Sequence, residues 1–136
     1  MKITRSIFLI LTMLISCSGK GSNLSPDCNI DAGPCIKSNM KKEISFGIEP
    51  RPVRAMESLH FRVKLANYKN TQSVIVDLSM PEMSMGYNQV PLNKTGINTF
   101  EGRGIIPFCP SGKGLWKASV IINDKVEERF LINVHY

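Results

Sequence analysis

From Lys41 onward, apolar and polar residues alternate with a period of two. Ile44, Phe46 and Ile48 make one run, and Leu59, Phe61, Val63 and Leu65 a second. Val74, Val76, Leu78 and Met80 follow, then Trp116, Ala118, Val120 and Ile122, and last Phe130, Ile132 and Val134. Alternation is what a strand with one buried face requires, because successive side chains leave opposite sides of the pleat. Residues 87–92 and 99–106 are weaker segments of the same kind. Turn-forming clusters at 49–52, 67–70, 93–96, 110–112 and 123–124 separate the runs. Nowhere do apolar residues recur at three and four over a helical length. About seven short strands predict an all-β fold, an immunoglobulin-like antiparallel sandwich over residues 41–136. Trp116 heads an inward-facing run and is the only indole, so it is expected to be buried.

Successive strands of such a sandwich reverse direction, so alternate loops share one end. With strands beginning at Glu43, Ser58, Ser73, Gly86, Thr99, Gly114 and Lys125, loops 51–57, 80–85 and 107–113 meet at one pole. Met56, Met83, Met85 and Cys109 converge there. His60 and His135 fall at the same end, each read singly as a surface residue. Thioethers are neutral and soft, which suits Cu(I) where thiols are oxidised. Met83, Met85, Cys109 and Met56 are therefore candidate ligands of a Cu(I) cofactor. Met80 continues the inward run from Val74 and reads as core. The competing reading makes the methionines a plastic contact surface for a protein partner in the envelope.

Ahead of the strands, Lys2 and Arg5 precede an apolar run at residues 7–15. Those nine residues are too few to span a bilayer, which takes about 20, but they fit the core of a secretory signal. Leu14-Ile15-Ser16-Cys17 then resembles the bacterial lipobox. The resemblance implies cleavage before Cys17 and acylation of that cysteine, which places the protein on a membrane of the cell envelope. Ser18 after it favours the outer membrane, facing the periplasm. The expected organisation is a signal peptide at 1–16, a lipidated tether with a cysteine loop at 17–40, and one β-domain at 41–136. The 17 Lys and Arg against 11 Asp and Glu give a net charge of +6. The positives are scattered among strands and not interleaved with aromatics. Together with export, that argues against nucleic acid and for a solvated basic face.

With Cys17 lipidated, Cys28, Cys35 and Cys109 remain. A Cys28–Cys35 bridge would close a short loop around Gly33-Pro34, leaving Cys109 as a thiol or a ligand. Cys35–Cys109 is the alternative, and spacing does not choose between them. No C-x-x-C, G-x-S-x-G, H-E-x-x-H or phosphate loop occurs, and the scattered carboxylates offer no acid–base pair. The expectation is a protein that is not an enzyme.

Met80-Pro81-Glu82-Met83-Ser84-Met85-Gly86 closes a strand, and Asn98-Thr99-Phe100-Glu101-Gly102 and Gly114-Leu115-Trp116 follow it. Over residues 42–134 this resembles the YtkA-like and FixH-like periplasmic β-sandwich domains, which share a Met-Pro-x-Met-x-Met turn and the two glycine-aromatic strands. The resemblance implies a fold and a neighbourhood, copper handling or respiratory-oxidase biogenesis, and no reaction.

Overall fold

Each alternating run becomes a strand, and all but the last, at an edge of the sheet, find partners on both sides. The computed structural model describes residues 23–136 except 82, 84 and 85. Cys17 and Met85 lie outside the described residues. The strands are β1 (Cys35–Asn39), β2 (Lys42–Glu49), β3 (Leu59–Ala66), β4 (Val74–Ser79), β5 (Gln89–Lys94), β6 (Thr99–Gly104), β7 (Leu115–Ile122) and β8 (Lys125–Asn133). They lie in the order β1-β2-β3-β6-β5-β4-β7-β8, and every pairing between them is antiparallel. No described residue is helical.

Eight strands form where about seven were expected. The addition is β1, inside the segment expected to be an irregular tether. Its sequence, CIKSN, hides from a period-two reading because it is an edge strand with only Cys35 facing the core. Ile30, just upstream, is also buried.

The sheet curls until its two edges approach. β5 carries the change of direction: its first four residues pair with β4, from Gln89 with Asp77 to Leu92 with Val74, and its last two pair with β6, through Lys94 with Phe100. This crossing explains the glycines of β6. A Cβ on Gly102 would stand 2.5 Å from the Pro91 carbonyl oxygen, and one on Gly104 would collide with Val90. At the far side, the Phe46 ring of β2 packs against Phe130 of β8, with centroids 5.4 Å apart. A strap at residues 23–27 seals that edge. The Asp27 amide donates to the Leu131 carbonyl at 2.8 Å, and the Asp27 carboxylate accepts from the Leu131 amide at 2.7 Å and from Lys37 of β1 at 2.8 Å. Burial works to raise the Asp27 pKa, yet Lys37 and the Leu131 amide outweigh it and hold the carboxyl below its ordinary range.

Inside the curl lie Phe46, Phe61, Phe130 and Trp116, each fully buried, with the aliphatic partners from the alternating runs. Met80 belongs to the same core. Burying each large apolar side chain is worth roughly 1.5–3 kcal/mol, so one continuous core is sufficient to hold a domain of this size.

Candidate functional site

The antiparallel registers decide which loops are neighbours. Glu49 pairs with His60, Leu59 with Gly104, Ser79 with Lys117 and Leu115 with Asn133. Loops 50–58, 80–88 and 105–114 therefore rise from one end of the sheet, together with the C-terminal residues. The loops are knitted by backbone bonds. The Ala55 amide donates to the His135 carbonyl at 2.8 Å, the His135 amide to Val53 at 2.9 Å, and the Met56 amide to Ile106 at 2.8 Å. Asp31 joins the same knot from the N-terminal side. One of its oxygens accepts the Val53 amide at 2.8 Å and the other meets His135 Nε2 at 2.6 Å. Burial alone would raise the Asp31 pKa, but the Val53 amide, His135 and Arg51 together lower it.

The sulfurs are distributed unequally at this pole. Met56 is 64% exposed and adopts the left-handed backbone region, with φ 63°. Met83 is 44% exposed, closing a tight turn back to Met80. The two sit against different neighbours: Met56 beside Ile106, and Met83 in a depression with Asn23, Leu24, Pro81 and Lys113. Cys109 rises from the third loop of the same end, but its side chain is fully buried, with Sγ 2.9 Å from the Ser111 hydroxyl. Of the sequence-derived candidate ligands, Cys109 is therefore out of reach of solvent in this structure. Cys28 and Cys35 are joined as a disulfide, with Cα atoms 5.8 Å apart, at the base of the Asp31 loop. Among the described residues, Cys109 is the free thiol.

His135 belongs to the knot with Asp31. His60 faces outward on β3, 3.9 Å from Glu101, which also takes the Arg62 guanidinium. Arg51 pairs with Glu49 at 3.7 Å, so part of the basic face is internally compensated. Among the described residues no group of three or more His, Cys, Asp or Glu side chains is placed to hold a metal ion.

An aromatic cluster at the pole escaped the sequence reading. Phe108, half exposed, meets Tyr136 edge to face, with centroids 5.3 Å apart and planes at 83°. The Tyr136 hydroxyl accepts from Trp116 Nε1 at 3.1 Å and donates to the Lys113 carbonyl at 2.8 Å. The buried indole thus fixes a ring at the surface. Of the eleven large apolar side chains exposed among the described residues, seven lie at this pole: Leu24, Met56, Met83, Tyr87, Ile105, Phe108 and Tyr136.

No family model matches the chain, and no curated protein is significantly similar to it. Its structure is similar to a crystal structure of a DUF4785 family protein from Legionella pneumophila, with a TM-score of 0.47 and 14% identity. The match covers 70% of this chain and 29% of that one, so the chain spans less than a third of its structural neighbour.

Proposed function

We propose that this chain is a lipid-anchored lipoprotein of the bacterial envelope, held by Cys17, whose immunoglobulin-like domain is a non-catalytic binding module working through its loop pole. The observation that carries this reading is that seven of the eleven exposed large apolar side chains among the described residues lie at that one pole, since apolar side chains concentrated on one face, unlike ones scattered singly, mark a contact site. The Met-rich turn and the glycine-aromatic strands that resemble YtkA-like and FixH-like domains agree with an envelope setting. Replacing Cys17 with Ala should release the protein from the membrane fraction or leave it unprocessed. Membrane retention of a processed Cys17→Ala chain would remove the anchor from the proposal. The contact surface is tested separately by site-specific photo-crosslinking in intact envelopes. Adducts should form from positions 83 and 108 and not from position 97 at the opposite pole; equal labelling of both poles would sink the binding-module reading.

A second reading rests on the exposure of Met56 and Met83 at the same pole: Met83 would hold Cu(I) with Met85, two residues on in the sequence, and Met56 would reach in from another loop. Two thioethers suit the ion. Cys109 fits the set only if loop 105–114 opens, because its thiol is buried against Ser111. Titration of the mature chain with Cu(I) under reducing conditions separates the readings. Stoichiometric binding lost in the Met83→Ala, Met85→Ala double variant supports copper, and binding unchanged in that variant removes it.

A further inference from the structure

We infer that the loop pole rests on the surface of the same bilayer that carries acylated Cys17, with its exposed apolar side chains set into the headgroup layer. This deepens the reading of the pole as a contact surface and depends on the lipid at Cys17. The argument starts where the described chain begins. Asn23 and Leu24 lie beside Met80, Pro81 and Met83, and from there the strap runs down β8 to Asp27. The tether therefore meets the domain at the loop pole. Five residues lie between Cys17 and Asn23, six Cα steps that span at most about 22 Å. The opposite pole lies a strand length farther on, about 25 Å for eight residues. A tether of this reach makes the loop pole the nearer of the two to the lipid and keeps it within contact distance of the bilayer.

The side chains placed there match that environment. Tyr136 is an amphipathic ring of the kind that settles at the membrane–water boundary, and Phe108 is an apolar ring of the kind that membrane-surface segments bury beneath the headgroups. Tyr136 is already hydrogen-bonded through its hydroxyl to Trp116 and Lys113, so its ring is presented without a polar group left unpaired. Met56, Met83 and Ile105 are exposed around them, and Arg54, exposed beside His135, puts a cation at the level of lipid phosphates. Confinement by so short a tether gives an effective concentration on the order of millimolar, so a weak apolar contact is occupied most of the time. The acyl chains hold the protein on the membrane, and the pole sets its orientation.

The test uses the lipidated mature chain in vesicles of phosphatidylethanolamine and phosphatidylglycerol, with a photoreactive phenylalanine analogue at position 108 or at position 97. Flotation reports the anchor, and the mass of the adduct reports what the pole touches. The expected result is co-flotation with both probes and a lipid adduct from position 108 only. Asp at both Met83 and Ile105 should leave flotation intact and abolish that adduct. A probe at Met83 repeats the measurement if the one at 108 disturbs folding. Flotation without a lipid adduct from 108 or 83, or equal adducts from 108 and 97, overturns the inference and leaves the anchor standing. Failure to float overturns both. Protein adducts from position 108 in intact envelopes, without lipid adducts, would assign the pole to a protein partner instead.

Discussion

The two ends of this sheet are built from different chemistry. At one end the chain turns tightly: Asn67, Asn70, Asn123 and Asp124 all adopt positive φ, which short polar side chains tolerate. These turns satisfy one another. Asn123 accepts from the amides of Gln72 and Ser73 at 2.8 and 3.1 Å and donates to the Asn70 carbonyl at 2.9 Å, tying two connections together. At the other end the loops are longer and expose Met56, Met83 and Phe108. Their backbones are fixed by Asp31, His135 and Tyr136 rather than by the loops' own tips. One pole spends its asparagines on closing its turns and exposes single apolar tips such as Met40 and Ile97, while the other holds its backbone from below and gathers most of the exposed apolar tips. Mutations should therefore separate stability from binding by pole.

The largest effect should come from the residue that underlies the loop pole. Trp116 is fully buried and anchors Tyr136. Trp116→Ala should cost about 3–5 kcal/mol out of a total of roughly 5–15 kcal/mol, measured by urea unfolding. Unchanged unfolding would mean that the contact surface does not depend on the core beneath it. At the turn pole, Asn123→Ala loses three hydrogen bonds and leaves a β-carbon in the left-handed region. A cost of about 1–2 kcal/mol is expected, with membrane contact unaffected. A loss of contact with unchanged stability would reverse the division between the poles.

Acid offers a finer separation. The Asp31 pKa is lowered in the folded chain, so the unfolded state binds the proton more readily. The stabilisation is complete above the ordinary carboxyl value of 3.8 and is lost as pH falls through the lower folded value. Asp31 holds the Val53 amide, whereas the amides of Gln72 and Ser73 are held by an asparagine that does not titrate. Below that range, hydrogen exchange at Val53 should rise before exchange at Gln72 and Ser73, and Asp31→Asn should flatten the pH dependence at Val53. Simultaneous loss of protection at both poles would show that acid unfolds the domain as one unit.

The same contrast governs what could be read from the sequence. Leu59, Phe61, Val63 and Leu65 announce β3 because every second residue of that strand faces the core. The turn pole was equally legible, since Asn67–Asn70 and Asn123–Asp124 carry their own conformational preference. β1 was not, because an edge strand buries too few side chains to leave a periodic trace. At the loop pole, strand reversal was enough to gather loops 50–58, 80–88 and 105–114. It could not orient side chains within them. Cys109 and Ile106 turn inward while Phe108 between them turns out, in a segment with no regular period to reveal it. The Trp116–Tyr136–Lys113 chain joins residues distant in sequence and emerges only when β7 and β8 pair.

The smallest expected effect makes the sharpest test of the loop pole. Phe108 is 54% exposed, and the partner it touches, Tyr136, is fixed independently by Trp116 and Lys113. Phe108→Ser should remove the edge-to-face contact without loosening Tyr136 or opening a cavity. An aromatic pair contributes about 0.5–1.5 kcal/mol beyond its buried area. Half exposure on the Phe108 side places the loss at or below the lower limit, about 0.5 kcal/mol, within the range of ordinary surface substitutions. Urea midpoints should scarcely move, while the position-83 probe should lose its lipid adduct in vesicles. If instead Phe108→Ser destabilises the domain as strongly as Asn123→Ala, the phenyl ring is a structural plug. The loop pole would then be closed by its own side chains in the manner of the turn pole, and the division of labour between them would disappear.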